Sequence, residues 1–207
     1  MPCSSALARD PIQPCVALAS SASAITSRGP AMTEAARVEV VLPPDFAAAI
    51  PDLAALLVDA VESGASVSFL AGLDPPHAAA WWQDRIPDIE TGALVMIVAR
   101  DDGRIVGCAG LVPAKWQNSA HRAEVIKVLV LRSHRSRGIA SAILRELELA
   151  ALERGRWLLT LDTAVDVGAE ALYARNGWQD VGVIPDYAVG ADGRFVATRF
   201  MWKRVRR

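Results

Sequence analysis

The chain has 207 residues, with 22 Lys and Arg against 23 Asp and Glu, and a formal net charge of −1. This length suits one ordinary domain with a sizeable core, and the near-neutral charge argues against a general nucleic-acid or membrane-surface binder. No apolar run approaches the roughly 18–20 residues that span a bilayer. The three cysteines, Cys3, Cys15 and Cys108, are odd in number and lack paired spacing, which argues against a disulfide framework or a zinc site. We therefore expect a cytoplasmic protein.

The first 31 residues differ from the rest of the chain. They are rich in Ser, Ala and Pro and show no hydrophobic period. Arg9, Asp10, Pro11 and Pro14 interrupt the apolar stretches that a secretory signal would need. We therefore expect residues 1–36 to be a disordered extension, or Met32 to be the natural start.

From residue 37 onward the pattern is that of a globular domain, with the order βααβββαβαββ and no second domain. Apolar residues at helical spacing and β-branched runs bounded by Gly, Pro and Asp indicate the elements. Asp45 and Asp74 are the expected N-caps of the first two helices. The predicted strands are 37–42, 93–100, 105–112, 121–131, 157–162, 181–187 and 195–203, and the predicted helices are 46–62, 77–89, 139–152 and a short one from 166 that ends at Asn176-Gly177.

The most informative stretch runs from residue 124 to residue 141. A strand over 125–131 is followed by a basic turn over 132–137 and then by a helix that begins after Gly138. The first N–H groups of a helix lack internal acceptors and carry partial positive charge, which favours an anion there. Gly138 lets a phosphate approach the backbone, and Arg135 and Arg137 add charge. The stretch therefore predicts a phosphate site, the alternative being a plain turn with solvated arginines.

The motif in this turn indicates which kind of phosphate-containing ligand binds. The Walker pattern and the dinucleotide-binding Gly-x-Gly-x-x-Gly are absent here. Arg135-Ser-Arg-Gly138-Ile-Ala140 instead fits Arg/Gln-x-x-Gly-x-Gly/Ala and resembles the pyrophosphate loop of the GCN5-related N-acetyltransferase (GNAT) family. The string 172–178, with Tyr173, looks like the second signature of that family. The resemblance extends over nearly all of residues 37–205.

The resemblance implies an α/β (α+β) fold, with a mixed, mostly antiparallel, twisted sheet of about seven strands, four helices, and splayed fourth and fifth strands. It also implies acetyl-CoA as co-substrate. The residues that it assigns to cofactor binding are Leu129, Val130, Leu131, Arg135, Ser136, Arg137, Gly138, Ile139, Ala140, Ser141 and Asn176.

A narrower resemblance is to the tabtoxin-resistance acetyltransferases, which acetylate a β-lactam amino-acid toxin made by plant-pathogenic bacteria. It rests on residues 64–74, 122–125, 161–163, 185–187 and 192–194. The chain departs from the pattern in its first 31 residues, in Ala140 where a second glycine is commoner, and in the Pro75-Pro76 pair.

The expected chemistry concerns protons. An alkyl amine has a pKa of roughly 10 and must lose a proton before it attacks a thioester. The resemblance carries the role of base onto Glu124 and Asp162, and Tyr173 is the candidate that protonates the leaving thiolate. The alternatives are a surface pairing of Glu124 with Arg122 or Lys127, a cap or turn role for Asp162, and simple helix packing for Tyr173.

Several other residues receive structural or supporting roles. Backbone N–H groups near 128–130 are candidate donors to a developing oxyanion. His134 is expected at the surface or in contact with phosphate, and His77 and His121 show no ligand spacing, so we expect no metal. Trp81 and Trp82 are adjacent and cannot share one helix face; we expect one in the core and one over a groove, a substrate wall being the alternative.

Two classes of function follow. The first is an acetyl-CoA-dependent N-acetyltransferase acting on the primary amine of a small molecule, including amino-acid-like toxins or antibiotics, with a protein N-terminus or lysine as the alternative acceptor. The second is a non-catalytic acyl-CoA-binding module. We expect a monomer or homodimer without nucleic-acid or membrane partners.

Deletion of residues 1–31 is expected to leave fold and activity intact, because a disordered segment makes few contacts. Thermal unfolding and thiol release from acetyl-CoA, each compared with the full chain, check this. A melting temperature several degrees lower would show instead that the segment packs on the domain.

Overall fold

The computed structural model describes residues 36–165 and 168–206, which form one seven-stranded sheet and five α-helices. Apart from Ala36, the predicted extension lies outside these residues, as do the first two residues of the predicted short helix. The strands are β1 Arg37–Val41, β2 Val95–Asp101, β3 Arg104–Pro113, β4 Arg122–Val130, β5 Leu158–Ala164, β6 Gln179–Val189 and β7 Phe195–Arg204. The helices are α1 Pro43–Glu62, α2 Pro75–Gln83, α3 Ile86–Glu90, α4 Ile139–Glu153 and α5 Ala169–Arg175.

The sheet confirms the predicted fold class. Its strand order is β1-β2-β3-β4-β5-β7-β6, and β4 and β5 are its parallel pair. All seven predicted strands are present, with ends that shift by one or two residues. Among the described residues, no helix is both long and apolar enough to cross a bilayer.

The helices differ from the prediction at two points where prolines decide the boundaries. Helix α1 begins at Pro43, so Asp45 lies in its first turn rather than at its N-cap, because proline suits the first helical positions. The predicted helix 77–89 is divided into α2 and α3, since Pro87 has no N–H with which to continue the first helix. Asp74 caps α2 as predicted, accepting a hydrogen bond from the His77 amide at 2.9 Å.

The core lies on both faces of the sheet. Strand β2 belongs to a continuous apolar run whose side chains alternate between the two faces. Met96 and Val98 pack in the cluster that contains α1 and α2, whereas Ile97 and Ala99 pack in the cluster that contains α4. Helices on both faces therefore fix the central strands that carry the site.

The sheet opens between its two parallel strands. β4 and β5 pair through residues 122–124 and 158–160, and within the described chain their register continues no further. β5 remains fully paired with β7 on its other side, and β4 continues beside β3 past an irregularity in register. The strands therefore separate just after Glu124, as the predicted splay requires.

Leu53 in α1 is fully buried, whereas Leu149 on α4 is 56% exposed. We expect Leu53→Ala to lower the free energy of unfolding by about 2–5 kcal/mol, because it leaves a cavity in the core. The matched change Leu149→Ala should cost less than about 0.5 kcal/mol. Urea denaturation of both variants measures the difference, and equal losses would contradict the assigned core.

Candidate active site

A cleft of about 970 Å³ lies where β4 and β5 separate. Its walls are these two strands, the end of α1 and the segment that follows it, the start of α4, and α5. The structure brings most of the predicted site residues to this cleft. Those that line it are Glu124, Leu129, Val130, Arg135, Ser136, Gly138, Ile139, Ala140, Ser141, Asp162 and Tyr173, whereas Leu131, Arg137 and Asn176 lie outside its lining.

The N-terminus of α4 forms one end of the cleft. Gly138 has a φ of +79°, which favours glycine, and no heavy atom lies within 4 Å of where its Cβ would stand. The first bond along the helix runs from the Ala142 amide to the Gly138 carbonyl at 3.0 Å. The three preceding amides belong to the first turn, which has no intrahelical acceptors. The start of α4 therefore suits an anion.

Ion pairs and hydrogen bonds fix the basic turn before α4. Arg132 binds Asp59 of α1 through its amide at 2.9 Å and through Nε at 2.7 Å. Arg135 donates to Ser63 Oγ at 2.9 Å, which joins the turn to the end of α1. Arg137 donates at 2.9 Å to the Ser133 carbonyl within its own turn. Of the two arginines in the motif, Arg135 is thus the one that lines the cleft.

His134 lies in the same turn and also lines the cleft. Its Nε2 is 3.3 Å from Asp101 Oδ2, and its Nδ1 is 2.8 Å from Ser133 Oγ. These partners, Asp101 and Ser133, hold the ring beside the basic turn. This position agrees with the supporting role expected for His134.

The end of α5 is attached to the start of α4. Asn176 donates to Ser141 Oγ at 3.0 Å and to the Leu172 carbonyl at 2.8 Å. Lys203 of β7 donates to the Asn176 carbonyl at 2.7 Å. Asn176 therefore contacts a residue of the phosphate motif without lining the cleft itself, and it fixes the helix that carries Tyr173.

Glu124 and Asp162 both reach the cleft, from β4 and β5 respectively. Asp162 lies inside β5, which continues to Ala164, so the alternative of a helix cap is wrong. Burial raises the pKa of Glu124, and repulsion from Asp162 raises it further, against the opposing effect of Arg122. A carboxylate with a raised pKa is a better proton acceptor than an ordinary surface carboxylate.

Two neighbours extend the electrostatics of this pair. Burial raises the pKa of Asp162, and the nearby Lys127 ammonium opposes that change. Tyr173 is buried and packs edge-on against Trp178, with ring centres 6.0 Å apart. Burial raises the pKa of Tyr173, and the charge of Asp162 raises it further, so the phenol stays protonated and can donate.

Lys127 is the residue of the cleft whose placement the sequence did not reveal. Its Nζ donates at 2.7 Å to the Val67 carbonyl, across the cleft from β4, rather than to Glu124. Trp81 lies 5.2 Å from this ammonium, while Trp82 is fully buried, which confirms the expected division between the two tryptophans. The available signal was a lysine within an otherwise apolar strand, residues 125–131.

The chain is similar to known acetyltransferases. The model of the acetyltransferase (GNAT) family matches residues 59–178. The chain is 30% identical over 106 residues to N-acetyltransferase 8B of Rattus norvegicus. The aligned region covers 50% of this chain and 46% of the rat protein. The chain therefore spans about half the length of this curated relative.

Two solved structures illustrate the likeness in fold. A phosphinothricin acetyltransferase (Pat) of Sinorhizobium meliloti, in complex with AcCoA, has a TM-score of 0.69 at 19% identity, over 84% of this chain and 89% of that chain. A ribosomal-protein-alanine N-acetyltransferase of Brucella melitensis has a TM-score of 0.65 at 24% identity, over 82% of this chain and 99% of that chain.

If the start of α4 binds the pyrophosphate of CoA, Gly138→Val should weaken CoA binding by more than about tenfold, because side-chain bulk would stand against the phosphates. Gly155, after α4, is the matched control: it has a φ of +70° and the same open space. Gly155→Val should carry similar backbone strain and leave CoA affinity near wild type. Calorimetric titration measures both, and an unchanged affinity in folded Gly138→Val would contradict the site.

Proposed function

The chain belongs to the GNAT family of acetyltransferases, and from this membership we propose that it transfers an acetyl group from acetyl-CoA to the primary amine of a small molecule. The observation that carries the proposal is the composition of the single cleft described above. A helix N-terminus suited to phosphates lies at one end, and the carboxylates of Glu124 and Asp162 lie in the same cleft. A bound anion and a reacting amine would therefore meet between β4 and β5.

The residues fit acetyl-CoA as the donor. Gly138 leaves open space in front of the first turn of α4, where the amides of residues 139–141 would hold the pyrophosphate. Arg135 and Ser136 add donors beside that turn. Acetyl-CoA supplies the activated acetyl group as a thioester. The separated part of β4, residues 128–130, supplies backbone N–H groups that would donate to the acetyl oxygen.

The chain's own groups then divide the proton transfers. Lys127 favours the charged form of Asp162, so Asp162 is suited to bind the acceptor's ammonium. Glu124, whose pKa is raised, is suited to take the proton directly or through water. Tyr173 remains protonated and is suited to give a proton to the departing thiolate. The assignment gives each of the three residues a separate role.

The segment that covers one side of the cleft favours a small acceptor over a protein substrate. The segment between α1 and α2, residues 63–74, is tied to the β6–β7 hairpin by a bond from the Ala71 amide to the Ala191 carbonyl at 2.9 Å. Lys127 ties the same segment to β4 through the Val67 carbonyl. A long peptide would have to displace these contacts. The alternative of a protein acceptor is supported by the fold neighbour named as a ribosomal-protein-alanine N-acetyltransferase.

The class of small molecule can be narrowed by resemblance. The tabtoxin-resistance acetyltransferases resemble this chain in several segments, and the fold neighbour named as a phosphinothricin acetyltransferase is 19% identical. The first name refers to an amino-acid toxin, and the second refers to a small-molecule acceptor, phosphinothricin. We therefore include toxin or antibiotic resistance in the proposal, with an amino-acid-like acceptor.

Thiol release from acetyl-CoA across amines, amino acids and peptides tests the proposed function. Amine-dependent release with small acceptors is the expected result, and mass spectrometry should find the acetylated amine. A preference for peptides would move the function to protein acetylation. CoA binding without release for any acceptor would favour the non-catalytic module.

Glu124→Gln should lower kcat by about 10²–10⁴, the usual contribution of a general base, whereas Asp162→Asn should mainly raise the acceptor KM. Both defects should shrink at high pH, where more of the amine is already deprotonated. Tyr173→Phe should lower kcat without that recovery, because the missing step is protonation of the thiolate. A pH–rate profile of each variant with the best acceptor measures these effects.

Glu153→Gln is the matched control for the carboxylate variants, since its side chain is 75% exposed at the end of α4. It should keep wild-type kcat and KM throughout the profile. CoA affinity should stay near wild type in all four variants. If both cleft carboxylate variants behaved like the control, bulk water would have to deprotonate the amine and the assigned base would be wrong.

A further inference from the structure

Lys127 occupies an irregular position in β4. Its φ is +52°, in the left-handed region that few residues with side chains adopt. The register between β3 and β4 shifts here: Cys108 faces Leu129 while Gly110 faces Ile126. The extra residue in β4 redirects its side chains, as bulges beside active sites do. Strain at such a position persists only when surrounding contacts hold it.

The contacts of the Lys127 ammonium form an incomplete set. It donates to the Val67 carbonyl at 2.7 Å and to Ser68 Oγ at 3.2 Å. It also lies over the rings of Trp81 and Phe69, at 5.2 Å and 5.7 Å from their centres. An ammonium has three N–H donors, and both oxygen partners here are neutral. The group therefore has capacity for one further acceptor, on a residue that lines the cleft.

Titratable and charged groups face Lys127 from four parts of the chain. Burial lowers its pKa to about 8; Asp162 of β5 and Cys108 of β3 oppose that effect, and Arg85 after α2 adds to it. Glu124 shares the cleft from β4 itself. An anion that reaches the remaining N–H donor of this half-buried cation would add a charge-assisted hydrogen bond that its neutral oxygen partners do not provide.

The cleft thus presents two kinds of charge to an acceptor. Glu124 and Asp162 attract an ammonium, and Lys127 attracts an anion beside them. A simple alkylamine satisfies the first and leaves the second unpaired, and an internal lysine of a protein does the same. An amino acid carries both charges on one small molecule.

Deepening the proposed function, on which this inference rests, we propose that Lys127 determines acceptor specificity by binding the carboxylate of an amino-acid acceptor whose ammonium is held by Glu124 and Asp162. The aromatic rings of Phe69 and Trp81 lie against the ammonium of Lys127. Specificity arises because an acceptor without the anion leaves a half-buried donor without a charged partner.

The test compares amino acids with their carboxamides, which lack the negative charge. For the best pair, the wild-type enzyme should prefer the acid by about 10- to 100-fold in kcat/KM, the usual effect of a charge-assisted hydrogen bond. Lys127→Met keeps an unbranched side chain one atom shorter and removes the charge, and its acid-to-amide ratio should fall toward one. Lys127→Arg should retain part of the preference.

Lys115→Met is the matched control, because Lys115 is an exposed lysine outside the cleft; it should keep the wild-type ratio. Thermal unfolding establishes that each variant is folded, and Lys127→Arg provides the second measurement if Lys127→Met is not. A wild-type enzyme that acetylates acid and amide equally, or an acid preference that survives in Lys127→Met, would overturn the role of Lys127 alone. Absence of acetylation with every acid and amide would overturn the proposed function as well.

The pH dependence provides an independent readout. Because the pKa of Lys127 is lowered to about 8, its charge is present below that pH and is lost above it. The acceptor KM for the acid should therefore rise above pH 8 relative to the KM for the amide, after correction for ionisation of each free amine. Lys127→Arg should remove this rise, since a guanidinium stays charged. A wild-type KM ratio that stays flat from pH 6 to pH 9 would contradict the assignment.

Discussion

The separation of β4 from β5 is the constraint on which the site depends. The two strands are parallel and paired only as far as Glu124 and Thr160, and β5 is held on its other side by β7 along its whole length. β4 stays attached to β3 only by accepting an irregular register near Lys127. The resulting opening exposes backbone N–H groups in the middle of a sheet, where they would otherwise be consumed by ladder hydrogen bonds.

The opening acquires its chemistry from the ends of other elements. The start of α4 brings partial positive charge to one end of the cleft, and the two parallel strands bring a carboxylate each. The partly desolvated surroundings keep these charges from being screened as they would be in water. For this reason the charge of Asp162 adds to the effect of burial in raising the pKa of Glu124. The single ammonium of Lys127 likewise opposes the rise that burial causes in the pKa of Asp162.

The segment after α1, which forms one wall of the cleft, has less regular structure, and this is where members of one family can differ. Residues 63–74 have no helix or strand beyond their turns and are held by a few contacts, among them those of Lys127 and Ala71. Such a segment can change in sequence without disturbing the sheet or the phosphate site. A conserved chemistry with a variable acceptor is the expected result of this arrangement.

The sequence by itself determined the parts whose signals are local. The Arg135–Ala140 motif between a strand and a helix indicated the family and predicted a phosphate site, and β-branched apolar runs located all seven strands. Glu124, Asp162 and Tyr173 were predicted as catalytic residues through the resemblance, and the structure brings them to one cleft. Only the tertiary structure decided how Lys127 and the segment after α1 meet, because a bulge and a contact across 60 residues leave no periodic trace. Pro43 and Pro87 are visible in the sequence, but their effect on the helix boundaries was not predicted, because it depends on which turn of the helix each proline occupies.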